Sequence, residues 1–181
     1  MKNVFTPLFF LLFIIQTTGN NLTIDSTQIV MQNNTDDYAM VEFDLSWENS
    51  FRDSINWDAA WVFVKYRLKD DTLSGWSHAS LNYVDGSADG HVVPASVTIN
   101  TPSDGMGVFI YHAADSSGDV SFQNIQLRWN YGNDSVADTD TVDVRVIGIE
   151  MIYVPTGNFW AGDGATSNIN GHFEDGTSGT P

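Results

Sequence analysis

Trp57, Trp61 and Trp76 are three of only six tryptophans, and they cluster in one aromatic stretch with Tyr66 and Tyr83 close by. A large planar ring with a polar handle can stack on a sugar, so an exposed trio would form a glycan platform. Trp47 and Trp129 fall on apolar faces and are expected in the core. The competing reading buries all of these rings. Acidic loops are the second candidate. Asp85-Gly86-Ser87-Ala88-Asp89-Gly90 opens like a calcium loop, with alternating acids and a glycine at the sixth position. Its twelfth position is Ser96, where a helix–loop–helix site needs a bidentate acid. Asp85 and Asp89, and likewise Asp115 and Asp119, could still hold calcium through another loop geometry. Calcium is the one cofactor expected, and solvated turns are the plain alternative.

Other chemistries find no footing. The chain has no cysteine and four histidines, His78, His91, His112 and His172, which are scattered. No Gly-x-Ser-x-Gly elbow is present, and no serine stands beside a histidine in a hydrolytic motif. A glycosidase needs two acids about 5–10 Å apart in a cleft. With 23 acidic residues, some pair would meet that spacing by chance. Zinc lacks any His-x-x-x-His or cysteine cluster. The chain is therefore expected not to be an enzyme.

Charge and compartment narrow the partners. Net charge is -16, which repels nucleic acid and anionic lipid and favours solubility, divalent cations or neutral ligands. The N-terminus reads as a signal peptide over residues 1–19. Lys2 precedes an apolar run at residues 4–15, too short for a comfortable membrane span, and Thr17 and Gly19 offer small residues for cleavage. Secretion or surface display is expected, with no membrane contact after cleavage. An exported chain without disulfides reads as bacterial.

The elements that must position these residues are strands. Residues 38–47 alternate Ala39, Val41, Phe43, Leu45 and Trp47 against polar neighbours, the period of a half-buried strand. Residues 60–68 are apolar on both faces at their start, which suits a central strand. Further strands are expected at 92–100 around Pro94, at 108–112, at 120–131 and at 141–147, with a weaker one within 22–31. Polar turns separate them at 33–37, 85–90, 103–105, 115–119 and 132–134. A helical turn could sit at 49–58. Arg128 and Arg145 fall on polar strand faces and suggest cross-strand carboxylate partners. The sum is an all-β chain, a single antiparallel sandwich of about seven or eight strands. The Gly- and Ser-rich tail at 162–181 is expected to be disordered.

Ile149-Glu150-Met151-Ile152-Tyr153-Val154-Pro155-Thr156-Gly157-Asn158-Phe159-Trp160-Ala161-Gly162-Asp163 resembles the opening of the formylglycine-generating enzyme (sulfatase-modifying factor) family, with Pro155, Gly157, Phe159 and Gly162 in the family's order. The resemblance implies a module at 20–148 and the truncated start of such a domain at 149–181. Members bind copper at paired cysteines near the C-terminal end and carry calcium sites in the same late region. None of those positions exists here, so no functional residue is carried over. Trp47-Glu48-Asn49-Ser50, the run from Asn56-Trp57-Asp58 to Lys65-Tyr66, and Gln126-Leu127-Arg128-Trp129-Asn130-Tyr131-Gly132 resemble the β-rich N-terminal module of exported Bacteroidota proteins that carry such a domain. The expected role is a non-catalytic surface, structural or adhesion module. The alternatives are a carbohydrate-binding module, or a fragment of a formylglycine-generating oxidase. The partner is unknown, with a glycan or a surface protein as candidates.

Overall fold

Alternating apolar residues drive two sheets together. In the computed structural model, which describes residues 20–69, 75–85, 89–154 and 156, the chain forms eight strands. They are β1 (Thr23–Asn33), β2 (Tyr38–Arg52), β3 (Ala59–Leu68), β4 (Ser77–His78), β5 (Val97–Asn100), β6 (Val108–His112), β7 (Ser116–Trp129) and β8 (Val142–Met151). All pairings between them are antiparallel. One sheet has the order β1-β2-β7. The other runs β4-β3-β6-β5, with β8 also on β3. The expected all-β antiparallel sandwich is the architecture found. The expected signal segment at 1–19 and the expected disordered tail at 162–181 lie outside the described residues.

β3 is the central strand of the larger sheet, as its two apolar faces suggest. β8 pairs with it from Ala59 to Leu68 without a register break. A strand has two edges, so β6 and β4 share the other one, at residues 60–62 and 65–66. The core lies between the sheets. Val41, Phe43, Leu45 and Trp47 from β2, with Phe122, Ile125, Leu127 and Trp129 from β7, meet Ala60, Val62, Val64 and Tyr66 from β3 and Val108 and Ile110 from β6. Val142, Val144 and Val146 of β8 pack against this cluster.

Bulges keep that alternation facing inward. Phe43 pairs with Ile125 and Leu45 with Phe122, so β7 carries one extra residue there. Asn124 absorbs it at φ 56°, a left-handed conformation that asparagine tolerates better than most residues. Its N–H donates to Asp44 Oδ1 at 2.9 Å. Asn49, also at φ 56°, does the same in β2, so Trp47 and Ser50 both point inward and are buried.

Several expectations need correction. No helical turn forms over 49–58. β2 runs on to Arg52, and a tight turn returns the chain to Trp57 through an Arg52–Trp57 bridge. The strand expected at 92–100 shrinks to β5, with Val92 making a lone bridge to Gln126. Residues 116–119 belong to β7 rather than to a turn, because they continue the ladder with the bulged end of β2. The boundary expected between Gly148 and Ile149 falls inside β8, where Gly148 pairs with Val62 and Ile149 with Trp61. Gly148 is a close-packing site: a Cβ there would meet Leu22 at 2.8 Å and Ile24 at 2.9 Å.

Candidate functional site: the outer face of the larger sheet

Strand parity that sends Ala60, Val62, Val64 and Tyr66 inward must send Trp61, Phe63, Lys65 and Arg67 outward. Directly paired residues share a face, so Ile149, Ile147, Arg145 and Asp143 of β8 lie beside these four. Phe109 and Tyr111 of β6 extend the same face. Trp61 packs on Phe109 with ring centroids 4.6 Å apart. Gly107 makes room for it, since a Cβ there would stand 2.5 Å from the Trp61 ring. Phe63 stacks on the imidazole of His78 at 5.3 Å. Ile147 and Ile149 remain 39 % and 51 % exposed.

Trp57 joins this face through the turn before it. Asp53 Oδ1 accepts the N–H groups of Ile55 and Asn56 at 2.7 and 2.6 Å. Those two bonds hold the Asp53 carboxyl below its usual range. The buried Asp58 then ties three segments together. Its Oδ2 accepts the Phe51 N–H and its Oδ1 the Tyr153 N–H. Trp57 stacks on Tyr111 at 5.5 Å, and the Arg52 guanidinium lies 5.3 and 5.1 Å from the two rings. Trp57 is 40 % exposed, whereas Trp61 and Trp76 are half-buried. Trp76 stands at the opposite end, with Arg67 at 5.1 Å and Arg145 at 4.4 Å from its ring. The three tryptophans singled out from sequence thus border one surface. Trp61 and Arg67 are six residues apart on β3, about 20 Å along the strand.

The same surface gathers the cations. The chain has seven Lys and Arg residues. Lys65, Arg67 and Arg145 lie on this face by parity, Lys69 reaches it through Asp143, and Arg52 through Trp57 and Tyr111. Asp143 is the lone carboxylate at the outward strand positions among the described residues. It takes Arg67 at 2.8 Å and Lys69 at 3.4 Å. The Arg67 hydrogen bond, helped by Lys69, draws its carboxyl below the usual range. The expected carboxylate partners of Arg128 and Arg145 are not found among the described residues. Arg145 stacks on Trp76. Arg128 stacks on Tyr38 at 3.9 Å and donates from Nε to Asn130. In both cases the guanidinium lies over an aromatic ring in place of the expected acid.

The acidic loops are not brought together. Asp89 Oδ1 accepts the Val84 N–H at 2.7 Å, and Asp85 accepts the Tyr83 hydroxyl at 3.2 Å. Residues 86–88 between them lie outside the described residues. Asp119, in β7, caps the Asn49 bulge by accepting its N–H at 3.1 Å, and Asp115 is exposed just before the strand. Among the described residues no three His, Asp or Glu side chains converge as a metal-binding group. Asp119 and Gln126, which bridges to the 85–92 loop at Val92, are seven residues apart on β7, about 23 Å.

Sequence reasoning missed the outward aromatics of β6. It gave 108–112 as a strand without assigning its faces, and there Val108 and Ile110 are core while Phe109 and Tyr111 face out. The alternation was available there, but five apolar and aromatic residues in a row hide it. A polar hub away from this face was also missed. Asp134 accepts the Ser80 N–H at 2.9 Å and the Trp129 indole N–H at 2.6 Å, and its other oxygen takes the Ser80 hydroxyl at 2.5 Å. His91 Nδ1 accepts the Arg128 N–H at 2.9 Å, while Nε2 lies 3.2 Å from the Thr101 hydroxyl. Burial pushes the His91 pKa down to about 4, opposed by the nearby Asp89 charge and aided by Arg128. Comparison with protein-family models, with curated proteins and with solved structures finds no match to this chain.

Proposed function

We propose that this chain is a non-catalytic, surface-presented interaction module of an exported protein, and that the outer face of the larger sheet is its contact surface, with a glycan as ligand. One observation carries the reading. Trp57, Trp61 and Trp76, with Phe63, Phe109 and Tyr111, border a single sheet face instead of filling the core. Rings fixed by packing on a sheet present apolar area at little entropic cost. Two exposed isoleucines beside them make the patch larger than scattered surface residues would.

Titration of tryptophan fluorescence with a panel of oligosaccharides tests this. We expect a saturable shift, weakened about five-fold by Trp57→Ala, since one aromatic contact is worth about 1 kcal/mol. A panel without any response would refute the glycan reading. The calcium scaffold is separated in the same samples. Calcium that bound the folded state would raise the melting temperature and chelator would lower it, whereas the glycan face responds to neither. The likeness to the formylglycine-generating family is a proposal about the run that starts at Ile149, whose first three residues lie in β8. An in-frame continuation of the gene with paired cysteines would support it.

A further inference from the structure

The proposed glycan face is not neutral. The chain carries net charge -16 and a sequence pI near 4.1, yet five of its seven cations lie on or beside this one surface. Random placement on so acidic a protein would surround each of them with carboxylates. At the outward strand positions among the described residues, three cations, Lys65, Arg67 and Arg145, stand against one carboxylate, Asp143, and Asp53 lies beside the face in the turn before Trp57. Asp143 also displays how the surface treats a carboxylate, with a guanidinium and an ammonium converging on its two oxygens. Lys65 lies between the aromatic and the cationic ends, paired in register with Arg145 on one side and His78 on the other. Among the described residues its ammonium has neither a hydrogen-bond nor an ion-pair partner.

We propose that the ligand of this face is an acidic glycan, a chain of uronic-acid sugars whose rings stack along Trp57, Trp61 and Phe63 and whose carboxylates meet Lys65, Arg145 and Arg67. This rests on the glycan reading above and adds the charge. Arginine and lysine bind carboxylates through short charge-assisted hydrogen bonds, and a screening length of about 8 Å lets a local patch outweigh distant acids. A single thin chain touches the strip alone. A bilayer would also meet the acidic surround. Single-stranded nucleic acid also seeks rings and cations, but its binders are basic domains.

Calorimetric titration of the full chain decides the matter. The probes are oligomers of galacturonic, glucuronic and mannuronic acid, each as the free acid and as its methyl ester, and an oligothymidylate of similar charge. The ester keeps the ring and removes the charge. We expect at least one free acid to bind at least ten-fold more tightly than its ester, with affinity falling as salt rises. Lys65→Gln should weaken the acid several-fold and leave the ester unchanged. Equal binding of acid and ester would overturn the charge proposal and leave the glycan face standing. Binding of no sugar in either form would remove both readings. Tighter binding of the oligothymidylate would replace the glycan with nucleic acid. The acid–ester comparison uses the unaltered protein, so it does not depend on how the variant folds.

Discussion

His91 should make this sandwich lose stability in mild acid. Its Nδ1 accepts the Arg128 N–H, so that nitrogen carries no proton in the folded state. The native pKa lies near 4 against an ordinary 6.5. Between those values the unfolded chain binds a proton that the native chain refuses, so stability rises with pH and falls as pH drops from 6.5 towards 4. Each pKa unit is worth about 1.4 kcal/mol. The loss is on the order of 1 kcal/mol at pH 5.5 and about 2–3 kcal/mol at pH 4.5, and it levels off below pH 4. A domain of this size has about 5–15 kcal/mol in all. His112, also held low by burial and by Arg52, acts in the same direction. Asp53 and Asp143 have pKa values drawn below 3.8, so their contributions are lost at lower pH than this window. Urea unfolding at pH 7, 5.5 and 4.5 reads the effect. With a slope of about 1–3 kcal/mol/M, the midpoint should fall by about 1–2 M between pH 7 and 4.5. His91→Asn, whose carbonyl can still accept the Arg128 N–H, should flatten most of that fall. An unchanged pH dependence in that variant would refute the reasoning.

Gly105→Ala should cost about 3 kcal/mol or more, measured by urea unfolding, because its φ is +65° and a Cβ would lie 2.5 Å from the Leu81 carbonyl oxygen. Gly107→Ala instead meets the Trp61 ring. It should shift the tryptophan emission and impair ligand binding, with a stability loss nearer 1–2 kcal/mol. Asp134→Ala should cost about 2–4 kcal/mol in chemical unfolding, since it strands the Ser80 N–H and the Trp129 indole N–H together.

The sandwich was legible because β2 and the first part of β8 alternate cleanly and β3 is rich in β-branched and aromatic residues. β7 was expected from residue 120, and its opening residues 116–119 were read as a turn. Its inward residues switch from Val120 and Phe122 to Ile125, Leu127 and Trp129, and the Asn124 bulge that causes the switch breaks a period-two reading. β4 has two residues and no pattern of its own. It exists because Lys65 and Tyr66 have an edge to fill beyond the end of β6. At the candidate site the tryptophans could be named, but their common surface could not. It depends on which strands neighbour β3, a long-range fact absent from any local window. Ring–guanidinium stacking misled the sequence reading in the same way. Arg145 has Lys65, not an acid, directly opposite, and its ring partner Trp76 is far off in sequence.

The ladder between β3 and β8 has a consequence for the birth of the molecule. Ala59 pairs with Met151 and Leu68 with Val142. β2 likewise waits for β7, since Ala39 pairs with Trp129. Both long ladders join the early half of the chain to the late half. Such non-local pairing places folding in the slow range, about milliseconds to seconds. During synthesis Trp61 emerges long before Ile149, the residue that completes its row. The central strand must therefore travel with a bare edge until β8 arrives. The surface proposed to meet a ligand thus forms only when distant parts of the chain meet, and no local segment builds it.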